Sequence, residues 1–238
     1  MASDMVIFYK KHHFCLLWYT ICYNLAMKLY HGSKAIIDCP VAKGSNKSND
    51  YGPAFYLTED LISAKEWACR NSTVGFVNEY LFKIDNLNIL DLRDKKYSPL
   101  NWLAILMHFR TLDPSFIKFY KRQLEYLEKH YYIDVDLYDV IIGYRADDAY
   151  FRFPLDFIRG NITVEQLESV YKEGKLGYQV VIISEKGIKQ LKFIKSLEAE
   201  EKYIDNYFET VQKATIKYDN LDRFVDGTRI NDLIRKDK

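Results

Sequence analysis

Three short stretches, each with apolar residues around one polar or aromatic residue, constrain the fold of this chain more than any other feature. They are residues 29–33 (LYHGS), 51–58 (YGPAFYLT) and 176–183 (LGYQVVII). Runs of this length, rich in β-branched and aromatic residues and bounded by turn-forming residues, are typical of strands. The sequence therefore predicts strands at three separated places along the chain.

Composition bounds the class of protein. The chain has 238 residues, of which 48% are hydrophobic, enough to bury a core in a domain of moderate size. Its 34 basic and 33 acidic residues nearly cancel, so it lacks the global basic field that holds nucleic acid by phosphate neutralisation. The four cysteines form no CxxC pair and have no histidine at metal-ligand spacing. This predicts reduced thiols in a cytoplasmic protein without a metal site.

Residues 1–26 differ in character from the rest of the chain. A basic cluster at residues 10–13 precedes an apolar run at residues 14–26, an order that superficially resembles a signal peptide. The run is shorter than the ~20 apolar residues that a membrane-spanning helix needs. We expect residues 1–26 to be an extension outside the native fold, and we expect no membrane partner. A membrane-associating or helical arm is the alternative.

Strand and helix signals mix along the remainder, which predicts an α+β fold. Strands are expected at residues 28–31, 54–57, 75–84, 87–92, 138–142 and 176–183, with a short helix and then an edge strand from residue 184. Helices are expected at residues 58–70 (capped by Thr58), 99–110, 114–131 and 163–174. We expect residues 27–195 to form one domain and residues 196–238 to form a C-terminal helical extension.

The first two stretches in this spacing, and the third by its order, resemble the strands that grip NAD in ADP-ribosyltransferases. The resemblance covers about residues 28–193 and is to a bacterial family of unassigned function within that fold. More distantly, the chain is similar to the catalytic domains of poly(ADP-ribose) polymerases and diphtheria toxin, which share a His–Tyr–Glu pattern. The resemblance implies a split, mostly antiparallel sheet with flanking helices and a cleft between its halves.

The first stretch carries the histidine of this pattern. By the resemblance, His31 would hydrogen-bond a ribose hydroxyl of NAD, since a neutral imidazole both donates and accepts. The backbone of Gly32 would pair with the nicotinamide amide, where a Cβ would crowd the ligand, and Ser33 would support the turn. The alternative is an ordinary histidine at the end of a strand, before a glycine turn.

The second stretch carries the aromatic of the pattern. By the resemblance, Tyr56 would stack on the nicotinamide ring, and Trp67, eleven residues later, would stack on the other face of the same planar ligand. The alternative is that both rings belong to the core.

The third stretch departs from the pattern. Gln179 stands where the resembled enzymes have glutamate, whose carboxylate would bind the ribose 2′-hydroxyl and stabilise the cation left when nicotinamide departs. Glutamine keeps the hydrogen bonds but carries no charge. The resemblance therefore implies NAD binding with slow catalysis or none.

A fourth segment, residues 141–148 (IIGYRADD), also resembles the bacterial family. We expect residues 143–148 to form a polar turn after a strand, where functional loops lie. Tyr144, Arg145, Asp147 and Asp148 would there contact the target or supply charge. The alternative is a turn in which one of the aspartates caps a helix that begins at Ala149.

The leading hypothesis is a cytoplasmic mono-ADP-ribosyltransferase of bacterial type, using NAD as a substrate to modify a protein or nucleic acid. By analogy with the fold, the role would be that of an effector or of the toxin in a toxin–antitoxin pair, with an antitoxin or immunity partner. A second hypothesis is a non-catalytic module that binds NAD or ADP-ribose, because of Gln179. A third is an interaction protein that keeps the fold without a nucleotide.

Overall fold

The computed structural model of the chain describes residues 26–71, 73–146, 150–173 and 177–237. Its strands are β1 (Ala26–Ser33), β2 (Phe55–Leu57), β3 (Phe76–Lys83), β4 (Ile89–Asp91), β5 (Val140–Tyr144), β6 (Tyr178–Ile182) and β7 (Leu191–Glu198). Its α-helices are α1 (Leu61–Cys69), α2 (Pro99–Phe109), α3 (Pro114–Phe119), α4 (Lys121–Tyr131), α5 (Arg152–Arg159), α6 (Val164–Glu173), α7 (Glu185–Ile188), α8 (Lys202–Asp219) and α9 (Ile230–Lys236). Several expectations fall outside the described residues. They concern the N-terminal extension (residues 1–25), the turn residues Asp147 and Asp148, the helix end at Gly174 and the strand start at Leu176.

The strands form two sheets. One has the order β1-β3-β7 and is antiparallel throughout. The other has the order β2-β6-β5-β4, in which only the β4–β5 pairing is parallel. A two-way hydrogen-bonded bridge between Tyr30 and Thr58 connects the sheets. The expected α+β fold, with a split, mostly antiparallel sheet and flanking helices, is confirmed. Its likeness to ADP-ribosyltransferases stays a prediction.

Three apolar clusters pack the two sheets and the helices together. The first lies between the sheets and joins Leu29 and Phe82 of one to Val140 and Val180 of the other. A second, larger cluster covers the opposite face of the four-stranded sheet with α2, α5 and α6. The third packs α1 and α8 on the three-stranded sheet. The four-stranded sheet contributes to both of the first two clusters because successive side chains of β5 and β6 point to opposite faces.

The residues after β7 form two helices, α8 and α9. Both pack on the rest of the fold: α8 lies against α1, and Ile230 and Ile234 of α9 are buried in the largest cluster. Strand β7, the predicted edge strand, runs to Glu198, beyond the expected domain end at residue 195.

Several expected element ends were wrong. Helix α1 is capped by Asp60, whose carboxylate accepts from the backbone N–H groups of Ile62 and Ser63, rather than by Thr58. Thr58 is instead held in the bridge to Tyr30, which delays the helix by one half-turn. The predicted helix 114–131 is broken at Tyr120, whose dihedral angles (φ −108°, ψ 21°) leave the helical region.

Candidate functional site

A cavity of about 430 Å³ lies where β1, β2, α1 and the first residues of β6 meet. Most of the residues singled out from the sequence line it: His31, Gly32, Ser33, Tyr56, Trp67, Arg145 and Gln179. Tyr144 is not among the lining residues. The fold thus brings together side chains that are far apart in the sequence, within a volume typical of small-molecule sites.

The bridge between the sheets positions the histidine. Tyr30 and Thr58 exchange backbone hydrogen bonds of 2.8 and 2.9 Å, which sets the next residue of β1 beside β2. His31 Nδ1 lies 2.6 Å from the carbonyl oxygen of Tyr56, and the imidazole stacks on Phe55 with ring centroids 4.6 Å apart. The ring is therefore fixed by one hydrogen bond and one stacking contact.

These contacts also define the protonation state of His31. A carbonyl oxygen only accepts, so Nδ1 carries the hydrogen and, in the neutral ring, Nε2 is left as an acceptor. Burial lowers the pKa of His31 below its usual value of 6.5; the bond to Tyr56 opposes this shift and the charge of Arg70 adds to it. The neutral ring with Nε2 as acceptor is the favoured form at neutral pH.

Gly32 is required by the packing of β1 on α1. A Cβ at this position would lie 2.1 Å from the carbonyl oxygen of Ala64 and 2.8 Å from the backbone nitrogen of Ala68. The structure itself therefore requires glycine here, because the Cβ position points at the helix backbone. That a Cβ would crowd a ligand stays a prediction. The close approach places Gly32 and α1 together on the cavity wall.

The turn after β1 is held by Ser33 and by a residue that sequence reasoning missed. Ser33 Oγ donates to the carbonyl oxygen of Ala35 and accepts from Asn78 Nδ2 at 3.1 Å. Asn78, fully buried in β3, also accepts from the backbone N–H of Ile37 and donates to the carbonyl oxygens of His31 and Ala35. Its signal in the sequence is an amide beside Glu79, between the apolar residues at the two ends of β3.

Tyr56 is fixed through its hydroxyl group. This hydroxyl donates to the carbonyl oxygen of Gly52 at 2.6 Å and accepts from the backbone N–H of Tyr51 at 3.1 Å. Burial raises the pKa of Tyr56 well above its usual value. Because the hydroxyl is engaged with the preceding turn, the aromatic ring is the part of Tyr56 that is able to contact a ligand.

Trp67 meets cations rather than a second aromatic ring. The guanidinium carbon of Arg70 lies 4.0 Å, and that of Arg145 4.6 Å, from the centroid of the Trp67 rings, within cation–π range. These contacts hold two positive charges at the cavity wall. The stacking of Trp67 on a planar ligand stays a prediction.

Gln179 is buried, with 7% of its surface exposed, and contacts a carboxylate that the sequence reasoning missed. Its Nε2 lies 3.2 Å from Asp50 Oδ2 and 3.3 Å from the carbonyl oxygen of Tyr144. Asp50 Oδ2 also accepts from the backbone N–H of Ala146 at 2.9 Å, and Oδ1 lies 3.3 Å from Arg110 Nε. Asp50 directly precedes the second stretch, which is the signal that marks it in the sequence.

The fourth segment differs from the expected polar turn. Gly143 and Tyr144 continue β5, and the Tyr144 ring is buried against Trp102 and Tyr178. Tyr144 therefore contributes its carbonyl oxygen, and no side chain, to the surroundings of the cavity. Arg145 does line the cavity. Helix α5 begins at Arg152. The alternative, an aspartate cap before Ala149, falls on residues 147–149, which lie outside the described residues.

The described residues also lack two features, a metal-binding cluster and a membrane-spanning helix. Within them, no group of three or more His, Cys, Asp or Glu side chains is placed to hold a metal ion. No helix in the described part of the chain is long and apolar enough to cross a lipid bilayer.

Comparison with known proteins gave a family but no function. No curated protein and no solved structure matches the chain. Residues 27–193 match a family described as protein of unknown function (DUF3990). They include all but the first residue of β1, all of β2 to β6, and every cavity-lining residue named above. The chain belongs to the DUF3990 family.

Proposed function

We propose that this protein binds NAD in the cavity and transfers its ADP-ribose group to a macromolecular acceptor, a protein or a nucleic acid. The observation that carries the proposal is the convergence of His31, Tyr56 and Gln179, from three separate strands, on one cavity. These residues follow one another along the chain in the order of the pattern with which the resembled enzymes bind NAD. Their meeting in space is what such a site requires.

The state of His31 supports this ligand. A neutral imidazole with hydrogen on Nδ1 offers Nε2 to a donor, and a ribose hydroxyl is such a donor. The stacking on Phe55 and the bond to Tyr56 hold the ring without help from the ligand. A ring fixed in advance loses little entropy on binding, which favours affinity.

The charges on the cavity wall support a ligand with phosphate groups. Among the described lining residues, Lys34, Arg70, Arg110 and Arg145 carry positive charge and Asp50 carries negative charge. Guanidinium groups bind phosphate oxygens through paired, charge-assisted hydrogen bonds. The excess of positive charge fits the pyrophosphate of NAD better than it fits an uncharged metabolite.

A second function is favoured by one specific observation. Gln179, neutral and hydrogen-bonded, stands where the resembled enzymes have glutamate. Losing such an electrostatic group commonly lowers a rate by about 10²–10³-fold. The alternative is therefore a module that binds NAD or ADP-ribose without turnover.

The resemblance adds a cellular setting to the proposal. A bacterial, cytoplasmic effector or toxin would act on a host or self macromolecule and would need an antitoxin or immunity protein as partner. These roles follow from analogy at the level of the fold and rest on the NAD site.

One experiment separates the two functions. The purified chain is mixed with NAD labelled in the nicotinamide ring, and bound NAD and released nicotinamide are both measured. The transferase predicts release that is lost in His31→Ala and kept in His108→Ala, a histidine outside the cavity. The binding module predicts binding without release. Absence of both binding and release in the wild-type protein overturns the proposal.

A further inference from the structure

Asp50 is a buried carboxylate at the cavity that the resemblance did not assign. The residue has 9% of its surface exposed, and it lines the same cavity as Gln179. One oxygen, Oδ2, accepts from Gln179 Nε2 and from the backbone N–H of Ala146. The other, Oδ1, faces Arg110. The negative charge at this end of the cavity is therefore one hydrogen bond away from position 179.

The hydrogen bonds of Gln179 orient its amide. The Nε2 group donates to Asp50 and to the carbonyl oxygen of Tyr144, which uses both of its hydrogens. Among the described residues, none donates to Gln179 Oε1. The amide is thus held with its nitrogen toward the carboxylate and its oxygen as the group that a ligand hydroxyl would meet.

A carboxylate that accepts from an amide N–H polarises that amide. In a site of low dielectric constant, hydrogen bonds in series strengthen one another, so the charge of Asp50 increases the negative character of Gln179 Oε1. The pair then presents to a ligand the negative charge of Asp50, partly offset by Arg110 at 3.3 Å, shared over two side chains. A glutamate at position 179 would present the same total charge on one side chain.

We propose that Asp50 and Gln179 act together in place of the missing glutamate: Asp50 is a positioning residue that supplies, through Gln179, the negative charge that stabilises the ribosyl cation of NAD. This inference rests on the proposed function. It assigns the negative charge of the absent glutamate to Asp50, which lies beside Gln179 only in the folded chain.

The transfer breaks one bond at the ribose and forms another. The bond between the ribose C1′ and the nicotinamide nitrogen breaks, and its electron pair leaves with nicotinamide, whose ring becomes neutral. The ribose is left with positive charge shared between C1′ and its ring oxygen. A nucleophilic oxygen or nitrogen of the acceptor, or of water, then forms a bond to C1′ and releases a proton to solvent. Negative charge near the ribose lowers the barrier to the first step.

A set of three variants tests the inference by moving the charge. Asp50→Asn keeps the shape of the side chain and removes the charge; we expect nicotinamide release to fall about 10²-fold while NAD still binds. Asp50→Asn combined with Gln179→Glu returns one charge to the pair, and we expect it to recover at least ~10-fold over Asp50→Asn. A purely structural role for Asp50 would not produce this recovery.

Nicotinamide release by Gln179→Glu alone is a second, independent test, which does not require the Asp50→Asn variant to fold. Two carboxylates at the 3.2 Å separation now seen between Gln179 Nε2 and Asp50 Oδ2 share one proton, so their total charge stays near −1. We expect release within about fivefold of wild type. If Asp50 contributed nothing, the new glutamate would raise release by about 10²–10³-fold.

Asp156→Asn is the matched control. Asp156 is also buried and paired with arginines, at 3.0 Å from Arg159 and 3.6 Å from Arg223, but it does not line the cavity. Its substitution removes a comparable buried charge and should lower the unfolding temperature without lowering release per folded molecule. Thermal unfolding of every variant corrects the rates for the folded fraction.

The outcomes are distinct. A fall in release for Asp50→Asn, recovery in the double variant and little change in Gln179→Glu support the inference. Unchanged release in Asp50→Asn, a double variant no better than Asp50→Asn, or a strong gain in Gln179→Glu alone overturns it while leaving the NAD site in place. Wild-type protein that binds NAD without any release also overturns it. Wild-type protein that does not bind NAD overturns the proposed function itself.

Discussion

Replacing Gly32 by alanine tests the geometry that builds the cavity wall. The new Cβ would lie 2.1 Å from the carbonyl oxygen of Ala64 and 2.8 Å from the backbone nitrogen of Ala68. Ordinary contacts of a Cβ begin at about 3.4 Å, so β1 and α1 must separate by roughly 1 Å. Both obstructing atoms belong to the helix backbone, and neither is able to move aside alone.

The magnitude follows from this displacement. Overpacking a filled interior typically costs about 1–3 kcal/mol. The cost here belongs at the upper end or above, because the new Cβ is part of a strand and both atoms that it meets are helix backbone. We expect a loss of about 3 kcal/mol in the free energy of unfolding. For a domain of this size, 1 kcal/mol corresponds to about 2–4 °C, so the unfolding temperature should fall by about 6–12 °C. The separation also moves His31 away from α1 and should weaken NAD binding.

Thermal unfolding followed by circular dichroism measures the first effect, and calorimetric titration with NAD at a temperature where the variant is folded measures the second. Gly44→Ala is the control, because its Cβ would meet mainly the side chain of Val41, which is exposed and able to rotate away. A Gly32→Ala protein that unfolds within about 2 °C of Gly44→Ala, a difference of about 1 kcal/mol or less, would refute the close packing of β1 on α1.

Three further predictions concern the cavity. Tyr56→Phe removes the hydroxyl bonds to the turn at Gly52 and should cost about 1–3 kcal/mol in chemical denaturation while leaving NAD affinity nearly unchanged; a large loss of affinity would show that the hydroxyl, not the ring, serves the ligand. Arg145→Gln should weaken NAD binding about tenfold and reduce its dependence on salt; unchanged affinity would exclude Arg145 from phosphate binding. Because the pKa of His31 is lowered, its Nε2 acceptor is present above pH 6.5 and lost as the pH falls through the lower folded value. NAD affinity measured by titration should therefore be constant above pH 7 and fall only below pH 6.5, and a midpoint above 6.5 would contradict the assigned ring state.

The sequence predicted the fold class because its signals are local. Alternating apolar residues and cap residues such as Ser98, Asp113 and Ser184 mark elements without knowledge of their partners, and each of these three caps a helix in the structure. The break at Tyr120 was missed because no glycine or proline marks it. The start of α1 was misplaced because Thr58 takes part in a long-range bridge that local patterns do not reveal.

The candidate site was predictable only in part for the same reason. The sequence indicated His31, Tyr56 and Gln179 because each lies in a short motif, and the motifs follow one another in the order of the resembled enzymes. Asp50 and Arg110 are 60 residues apart and acquire meaning only as a pair at 3.3 Å, beside an amide from a third segment. The contacts of Arg70 and Arg145 with Trp67 likewise depend on tertiary packing. The sequence indicated Trp67 only as an aromatic that stacks on a ligand, and not as a partner of two guanidinium groups.

The central claim is that this cavity holds the nicotinamide end of NAD, and a crystal structure with a non-hydrolysable NAD analogue tests it most directly. We predict density for the nicotinamide riboside inside the cavity, with one ribose hydroxyl at hydrogen-bond distance from His31 Nε2 and another from Gln179 Oε1. An analogue bound elsewhere on the protein, with the cavity between His31, Tyr56 and Gln179 empty at saturating concentration, would contradict it.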